Sequence, residues 1–392
     1  MKILLITSKF LPEYSGPAFR IYNTYKRLNQ LANISLDVFC QSEEYNNYKE
    51  YIYKNIKVLR FKKYSFLKIN FINKIYKQFD FFLLLIFFCF KLNNIKYDII
   101  HIVGSSSITT AGIYAGKIKK IPIFYELVNA SSSPMQINKL INFFYKINLS
   151  DNTVISCLSK QLEKKCHNYG LIKNIWLRAN PIDEKKFFYI DRNNFNKEKI
   201  ILLNINQFIP RKNQIFLIEV LNLLPSNYSL VLAGPIVKSG KFKFRDHRYL
   251  NNIYKLVKKY NLQNRLEIIE KFVNPQDYYS KVDLYLMPSI NEGLGTTFLE
   301  SLACGLPVIA NEDETVFQEW IKNNENGKLI TLNPKKWADE ILKFPILNNQ
   351  QRLEFSNKII YKVGNKRFDK KKLKILKSLK GFRKNKIVLV DE

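Results

Sequence analysis

Short apolar runs that suit buried strands alternate with helical stretches along the N-terminal half of the chain. Residues 2 to 7, "KILLIT", predict the first strand, and residues 18 to 32 predict a helix. Strands that alternate with helices form a parallel sheet covered on both faces, so the pattern indicates an α/β fold. The apolar face of the helix consists of Ala18, Ile21, Tyr22, Tyr25, Leu28 and Leu31. Further strand-like runs lie at 34 to 40, 99 to 103, 122 to 128 and 153 to 159.

The alternation pauses at residues 177 to 187, "LRANPIDEKKF", and then begins again. Pro181 and the charged cluster beside it are typical of a linker. We therefore expect two Rossmann-like domains, 1–180 and 181–362, facing each other across a cleft. A C-terminal helix at about 363–392 is expected to pack back on the first domain. Ligands of such sheets bind beyond the carboxyl ends of the strands. The second domain has strand-like runs at 199 to 208, 229 to 234, 266 to 272, 283 to 289 and 307 to 310.

The five cysteines and three histidines show no metal-binding spacing. Because neither C-x-x-C nor H-E-x-x-H occurs, we expect no metal site and no disulfide framework. The N-terminal apolar run has five or six residues before Lys9 and lacks an A-x-A-like cleavage site, so it predicts a first strand and not a signal peptide. These features favour a protein of the reducing cytosol.

The chain carries a formal net charge of +30 over 392 residues. Basic proteins bind nucleic acid, anionic membranes or phosphorylated substrates, although an AT-rich genome would produce the same bias without selection for charge. The stretch 64 to 79 predicts either a basic amphipathic helix on an anionic membrane or a core helix with a solvated lysine face. The run 81 to 90, "FFLLLIFFCF", is too short to span a bilayer, which takes about 20 residues, and predicts a buried or interfacial helix. In the stretch 64 to 79, the apolar positions are Phe71, Ile72, Ile75 and Phe79, and the basic ones are Lys68, Lys74 and Lys77.

The segment "NEGLGTTFLE", residues 291 to 300, places Glu292 and Glu300 on either side of a glycine-rich turn. Thr297 followed by Glu300 fits a capping box, so a helix is expected to begin here and to end at Gly305 after about two turns. On that pattern alone Glu300 is a helix cap. The two glycines, however, let backbone N–H groups approach an anion at a helix N-terminus. Two carboxylates would repel a bare phosphate but accept hydrogen bonds from hydroxyls, so a sugar joined to a diphosphate fits the loop.

Other motifs are weaker. The same glycines begin a G-x-G-x-x-G pattern, but Phe298 occupies its third position, which leaves only a partial dinucleotide fingerprint. No G-x-x-x-x-G-K-[ST] segment occurs, which excludes a P-loop nucleotidase, and no G-x-S-x-G elbow marks a nucleophile. The acidic run 312 to 314, "EDE", could chelate Mg²⁺ in principle or form the solvated start of the next helix.

Four segments together resemble retaining glycosyltransferases of the GT-B fold, the large family four. "NEGLGTTFLESLACGLPVIA" (291 to 310) looks like the E-x7-E region, and "INQFIPRKN" (205 to 213) resembles the phosphate-binding segment of the C-terminal domain. "RANPIDEKKF" (178 to 187) is similar to the interdomain linker, and "LLITSKFLPEYSGPAFR" (4 to 20) to the first strand and glycine loop. The resemblance implies transfer of a sugar from a nucleotide-diphosphate sugar to a glycan or lipid-linked acceptor. Cell-surface polysaccharide or lipopolysaccharide synthesis is the implied setting, and no metal or other cofactor is required.

The resemblance also implies roles for matching residues. Glu300 would hold the ribose hydroxyls, Glu292 would contact hydroxyls of the transferred sugar, and Lys212 would neutralise the leaving diphosphate. The backbone of Gly16 would approach the phosphates of the sugar donor, although an ordinary turn before the first helix is the alternative. A solvated lysine at a helix start is the alternative for Lys212. The implied donor-binding residues are Gly16, Gln207, Gly293, Leu294, Gly295, Thr296, Thr297 and Glu300.

One departure from the family pattern concerns the diphosphate. Where the family usually has Gly-Arg before the lysine, this chain has Asn206 and Gln207. Arg211, beside Lys212, is the candidate for the second cation, although adjacent residues seldom point the same way on a helix.

A second departure concerns the far side of the sugar. The family commonly has a histidine after the strand that corresponds to 122 to 128, and this chain has Val128 or Asn129 there. Asn129 would donate through its amide and Glu126 would orient an acceptor. Simple loop polarity is the alternative for both residues.

Three functions from different classes stay open at this point. A glycosyltransferase, cytoplasmic and peripheral on the inner face of the cell membrane, is favoured, with a nucleotide sugar, an acceptor and an anionic membrane as partners. A nucleic-acid-binding protein would explain the charge but not the glutamate loop, so no nucleic acid is expected as a partner. A non-catalytic scaffold of the same fold is consistent with the missing arginine and histidine.

Overall fold

A computed structural model describes most of the chain as two compact units. The N-terminal unit comprises Met1–Ala179 together with Asp369–Glu392, and the C-terminal unit comprises Asn180–Phe368. For residues 70–77 the backbone is described and the side chains are not. The described residues are 1–13, 15–42, 47–63, 70–128, 148–191, 198–236, 242–345 and 347–381.

The N-terminal unit contains an eight-stranded sheet that is parallel except at one edge. Its strand order is β3-β4-β2-β1-β5-β6-β7-β8, and only the β3–β4 pair is antiparallel. The five strands predicted for this half are confirmed, because their apolar runs are buried in the sheet. The strands are β1 Lys2–Thr7, β2 Ser35–Gln41, β3 Lys49–Tyr53, β4 Ile56–Phe61, β5 Ile99–Val103, β6 Ile123–Leu127, β7 Thr153–Cys157 and β8 Ile175–Leu177.

The hairpin of β3 and β4 was not predicted. Lys54 and Asn55 join its strands with φ of 44° and 69°, the left-handed pair that a two-residue hairpin turn requires. Most of β3 is exposed or half-buried at the sheet edge, so its sequence lacks the apolar signal of a buried strand.

Helix α1 (Gly16–Ala32) covers the sheet with most of its predicted face. Ala18, Ile21, Tyr25 and Leu28 are buried along it. The prediction was wrong for Leu31, which is 64% exposed. At about 100° per residue, position 31 lies some 60° further round the helix than Leu28 and leaves the buried face. The other helices of this unit are α2 Asn70–Asn94, α3 Ser107–Ile118 and α4 Lys160–Asn168.

Helix α2 presents two apolar faces. Phe81, Leu84, Leu85 and Phe88 are buried on one side, in line with the prediction of a buried helix. The opposite side carries an exposed apolar stripe, which fits the alternative prediction of an interfacial helix. Within the described residues, no helix is both long and apolar enough to cross a membrane. Of the predicted amphipathic stretch, residues 64–69 and the side chains of 70–77 lie outside the described part. The exposed stripe consists of Phe79, Phe82, Leu83, Ile86 and Phe90.

The C-terminal unit contains a six-stranded parallel sheet. Its order is β11-β10-β9-β12-β13-β14, and all five strands predicted for this half are confirmed. β11 ends at Ile269, three residues before the predicted end, and β14 was not predicted. The strands are β9 Ile200–Ile205, β10 Tyr228–Ala233, β11 Leu266–Ile269, β12 Leu284–Met287, β13 Val308–Asn311 and β14 Gly327–Ile330.

Helices pack on this sheet around a core of aliphatic and aromatic side chains. Phe216 and Trp337, from two different helices, meet edge to face with ring centroids 5.1 Å apart. A 3-10 turn at Pro210–Lys212 precedes the first of the helices. The helices are α5 Gln214–Leu223, α6 Lys243–Lys259, α7 Gln276–Tyr279, α8 Thr296–Ala303, α9 Thr315–Gln318, α10 Pro334–Leu342 and α11 Asn349–Val363.

The last described helix, α12 (Asn365–Gly381), begins in the C-terminal unit and is assigned to the N-terminal unit from Asp369 onward. Arg27 donates from Nε and Nη2 to the two carboxylate oxygens of Asp369, at 2.5 and 3.0 Å. Lys372, one turn further along, is fully buried with its Nζ 3.3 Å from Glu126 Oε1. Two ion pairs therefore fix this helix to the N-terminal unit.

Candidate active site in the C-terminal unit

Three loops of the C-terminal unit start at the carboxyl ends of neighbouring strands. β9 lies between β10 and β12, so the chain order of the sheet reverses between β9 and β12. In open α/β sheets, ligands bind at such a reversal. The segments that follow β9 and β12 hold the site residues predicted for this half of the chain, and the loop after β13 holds Glu314.

Lys212 and Arg211 both contact one carboxylate oxygen of Glu292. Lys212 Nζ lies 2.5 Å and Arg211 Nη1 3.2 Å from Glu292 Oε2. Lys212 and Glu292 are 7% and 6% exposed, whereas the Arg211 side chain is 45% exposed. The expectation that the two neighbours point apart was wrong, because that spacing rule describes a regular α-helix and these residues lie in a single 3-10 turn.

Lys212 and Glu292 stay charged because their side chains lie close together, and not because water solvates them. Burial alone would raise the pKa of Glu292, but Lys212 and Arg211 outweigh it and keep that pKa below its ordinary value. Burial lowers the pKa of Lys212, and the Glu292 carboxylate only partly offsets this. Because each charge stabilises the other, the two side chains act as one unit.

Glu300 is one turn into α8 and is not a helix cap. The N-cap is Gly295, and within the described residues no side chain caps this helix end, so the predicted capping box is wrong. Instead, the buried Tyr279 hydroxyl lies 3.4 Å from Glu300 Oε2 and donates to the Thr297 carbonyl at 2.9 Å. Burial raises the pKa of Glu300 to about 8, and the hydrogen bond from Tyr279 lowers it only in part.

Tyr285 joins the loop after β9 to the start of α8. Its hydroxyl lies 2.8 Å from Thr297 Oγ1 and 3.0 Å from the Ile205 carbonyl. Asn206 Nδ2, at one of the positions where the family has Gly-Arg, is 3.3 Å from the same hydroxyl. This buried tyrosine therefore sets the spacing between the two loops that carry Lys212 and Glu300.

Glycine is required at two close approaches beside these loops. Gly295 has φ of 76°, and a Cβ there would lie 2.7 Å from the Met287 side chain. Gly234, at the end of β10, has φ of 154°, and its Cβ would lie 2.0 Å from the Asn206 carbonyl oxygen. A side chain at position 234 would displace the backbone at Asn206, whereas one at position 295 would displace the Met287 side chain and adopt an unfavourable φ.

The remaining predicted donor-binding residues of this unit lie on the same loops. Gly293 and Leu294 are buried, and Thr296 Oγ1 accepts a hydrogen bond from Asn180 Nδ2 at 3.0 Å. The Gln207 carbonyl accepts from Gln214 Nε2 at 3.0 Å. The predicted residues from Gln207 to Glu300 thus lie on the loops after β9 and β12 and on the first turns of α8.

Two predicted residues lie in the N-terminal unit. Gly16 is the exposed first residue of α1 and not part of a preceding loop. Glu126, the fourth residue of β6, is completely buried. Asn129 lies outside the described residues.

Glu126 is the centre of a buried charge cluster. Arg20 Nη2 and Arg178 Nη2 lie 2.5 and 2.9 Å from its Oε2, while His101 Nε2 and Lys372 Nζ lie 3.3 Å from its Oε1. Burial would raise its pKa, but the surrounding cations hold the pKa well below the ordinary value. Both oxygens of the Glu126 carboxylate therefore contact cations of the N-terminal unit, and its role in orienting an acceptor stays a prediction.

Metal ligands do not cluster in the described part of the chain. No group of three or more His, Cys, Asp or Glu side chains there could hold a metal ion. The acidic run 312–314 follows β13 and precedes α9, and Glu314 is the N-cap residue of that helix.

Three residues that position the site were not predicted from the sequence. Tyr279, Tyr285 and Glu314 each contact a site loop through a hydroxyl or a carboxylate. The sequence signal available for Tyr285 was a side chain with a hydroxyl within a buried strand. No local signal distinguishes Tyr279 or Glu314 from ordinary helix residues.

Residues 185–365 of the chain match the family described as glycosyl transferases group 1. Its two-unit α/β architecture is the GT-B fold of glycosyltransferases. The structure of Anabaena HepE in complex with UDP and glucose superposes with a TM-score of 0.69 at 17% identity, over 96% of this chain and all of that one.

Curated relatives of this chain are named as glycosyltransferases. An uncharacterised glycosyltransferase of Methanocaldococcus jannaschii is 24% identical over 90% of both chains. The N-acetylgalactosamine-N,N'-diacetylbacillosaminyl-diphospho-undecaprenol 4-alpha-N-acetylgalactosaminyltransferase of Campylobacter jejuni is 26% identical, over 45% of both chains. That match spans less than half the length of the relative.

Proposed function

We propose that this protein is a retaining glycosyltransferase that moves a sugar from a nucleotide-diphosphate sugar to a glycan or lipid-linked acceptor in cell-surface polysaccharide synthesis. The observation that carries the proposal is the position of Lys212, Arg211 and Glu292 beside the N-terminus of α8. Two cations and a helix N-terminus favour a diphosphate there. Glu300, on the first turns of the same helix, is available for ribose hydroxyls.

The proposed reaction follows from where charge develops. Breaking the bond between the anomeric carbon and the diphosphate oxygen leaves the electron pair on the diphosphate and positive charge on the sugar. Lys212, Arg211 and the N–H groups at the start of α8 stabilise that diphosphate before the reaction begins. The acceptor hydroxyl attacks on the same face, and its proton passes to the departing phosphate oxygen.

Glu292 has two tasks in this proposal. Its Oε2 holds Lys212 and Arg211, and the same carboxylate would accept from hydroxyls of the transferred sugar. The sugar and the leaving group are thereby positioned by one network.

The lipid-linked class of acceptor is supported by two features. The Campylobacter relative is named for a diphospho-undecaprenol acceptor. The exposed apolar stripe of α2, on a chain with net charge +30, has the chemistry of a surface that rests on an anionic membrane. We propose a peripheral location on the inner face of the cell membrane.

The test is calorimetric titration with UDP and with GDP, repeated on Glu300→Ala and followed by a sugar-transfer assay. One nucleotide is expected to bind the wild type, and the variant should lose at least about 1 kcal/mol, the cost of unmade hydrogen bonds. Failure of a folded sample to bind either nucleotide would favour the scaffold function. Steep salt-dependent affinity for DNA or RNA would favour the nucleic-acid function.

A further inference from the structure

The loop that carries Glu292 is tied to its surroundings on two sides. On one side, the Ile290 N–H donates to the Arg211 carbonyl at 2.9 Å. On the other side, Asn311 Nδ2 donates to the Ser289 carbonyl at 3.2 Å. The loop therefore joins the turn after β9 to the end of β13.

Glu314 supplies the strongest of these ties. Its Oε1 accepts from the Asn291 N–H at 2.5 Å, and its Oε2 accepts from the Glu292 N–H at 2.9 Å. One carboxylate thus holds two successive peptide groups, with a charged acceptor for each donor. Asn291 has φ of 55°, a left-handed conformation that asparagine adopts more readily than most other residues.

Glu314 does not use its side chain as an ordinary helix cap. It is the N-cap residue of α9, yet within the described residues 242–345 its carboxylate makes no hydrogen bond to the N-terminus of that helix. Both oxygens instead reach 22 to 23 residues back along the chain. A role in forming α9 does not explain this arrangement.

We propose that Glu314 is a positioning residue for the transfer reaction: it fixes the Asn291–Glu292 peptide so that the Glu292 carboxylate meets Lys212 and Arg211. The inference rests on the proposed function and assigns a further residue to it. Glu314 itself is not proposed to touch the substrate. A misplaced reacting group of about 1 Å can cost on the order of a hundredfold in rate, so a carboxylate that only holds backbone can have a large effect.

The proposed site has a sugar-binding side, which contains Glu292, and a nucleotide-binding side, which contains Glu300. Tyr279 lies 3.4 Å from Glu300 on the nucleotide-binding side, whereas Glu314 holds the peptide that carries Glu292. Loss of Glu314 should therefore reduce kcat by a larger factor than it reduces nucleotide affinity. A merely structural role would reduce both together with thermal stability.

The experiment compares Glu314→Ala and Glu314→Gln with Glu312→Ala and Glu312→Gln, because Glu312 is an exposed glutamate two residues away. We expect kcat to fall about a hundredfold in Glu314→Ala and about tenfold in Glu314→Gln, which keeps the length and one acceptor oxygen. The dissociation constant for UDP or GDP should rise by a smaller factor than kcat falls, and the Glu312 variants should match the wild type. Full activity of Glu314→Ala, or equal losses in kcat, affinity and melting temperature, would overturn the proposal.

A second measurement tests whether Glu314 fixes the Asn291–Glu292 peptide, even if the wild-type protein transfers no sugar. Hydrogen exchange of the Asn291 and Glu292 amides should be accelerated at least about tenfold in Glu314→Ala relative to Glu312→Ala, because both amides lose their acceptor. Unchanged exchange would overturn the inference by itself. Absence of nucleotide binding with accelerated exchange would instead contradict the proposed function and leave Glu314 as the residue that holds the loop.

Discussion

Lys212 Nζ and Glu292 Oε2 are 2.5 Å apart, although 80 residues separate the two in the chain. Both side chains are more than nine-tenths buried, so neither charge is stabilised by bulk water. The residue proposed to neutralise the diphosphate is therefore held by the residue proposed to bind the sugar. Substitution of one is expected to disturb the other.

Lys212→Ala should destabilise the fold and reduce sugar transfer. Removing one partner of a buried ion pair leaves an uncompensated charge, which costs about 3–5 kcal/mol; the half-exposed Arg211 offsets part of this. Urea unfolding measures the free energy of unfolding. The control is Lys322→Ala, which breaks an exposed pair with Glu325 at 3.9 Å and should cost under about 1 kcal/mol. Equal losses in the two variants would show that the Lys212 pair is not buried in solution.

The advantage of the wild type over Glu300→Gln in nucleotide affinity should grow with pH. The pKa of Glu300 is raised to about 8, and ribose hydroxyls donate better to the carboxylate than to the neutral acid. The ionised fraction rises as pH approaches and passes 8, so the affinity ratio should increase by up to about tenfold between pH 7 and 8.5. Titration of Lys212 affects both proteins and cancels in the ratio. A ratio independent of pH would contradict the role of Glu300.

Tyr285→Phe should weaken nucleotide binding. Loss of the hydroxyl leaves Thr297 Oγ1 and Asn206 Nδ2 without this partner, which costs about 1–3 kcal/mol and releases the start of α8 from the loop after β9. Calorimetry with UDP or GDP and thermal unfolding are the measurements. Tyr97→Phe is the control, because that buried tyrosine donates to Asp37 at 2.9 Å in the N-terminal unit. It should lose stability but not affinity; equal affinity losses would contradict the prediction.

Acid should destabilise the protein through His101. Burial lowers its pKa to about 4, and Tyr25 and Glu126 hold the neutral ring at 2.9 and 3.3 Å. The unfolded chain binds this proton below about pH 6.5 and the folded chain only near pH 4. Stability is therefore present above pH 6.5 and lost as pH falls, up to about 3 kcal/mol.

The measurement for His101 is melting temperature against pH from 7.5 to 4.5. Glu300, whose folded pKa is raised, changes stability in the opposite sense over this window, so the wild type is compared with His101→Gln. The difference between the two curves should shrink as pH falls. His167→Gln, at an exposed histidine, is the control for removal of a histidine from the protein surface.

The exposed stripe of α2 should bind anionic vesicles. A carboxylate in the stripe loses apolar contact and is repelled by anionic lipid, so Ile86→Glu should reduce co-sedimentation at low salt severalfold. Ile172→Glu is the matched control, because both isoleucines are 68% exposed and carry the same charge change. Equal binding by both variants would show that the stripe is not the membrane-contacting surface.

The sheets of both units were largely predictable because a buried parallel strand is a local signal. All ten predicted strands occur, whereas four strands were missed: β3, with its exposed edge, its hairpin partner β4, the three-residue β8 and β14. The face of α1 was predicted up to Leu28 and failed at Leu31, where the apolar spacing drifts round the helix. The errors at β3 and at Leu31 occur because the burial of these residues depends on the neighbouring elements and not on the sequence pattern of the element itself.

The sequence by itself determined the α/β class, the repeat of the pattern after residue 187, and the residue types at the loops, including Glu292, Glu300 and Lys212. Only the tertiary structure decided which side chains meet. Lys212 with Glu292 and Glu314 with the Asn291 amide each join loops that follow different strands, and Tyr285 with Asn206 joins β12 to the loop after β9. Parallel strands bring their carboxyl ends together whatever their separation in the chain, so these pairings depend on strand order, which a local pattern does not contain.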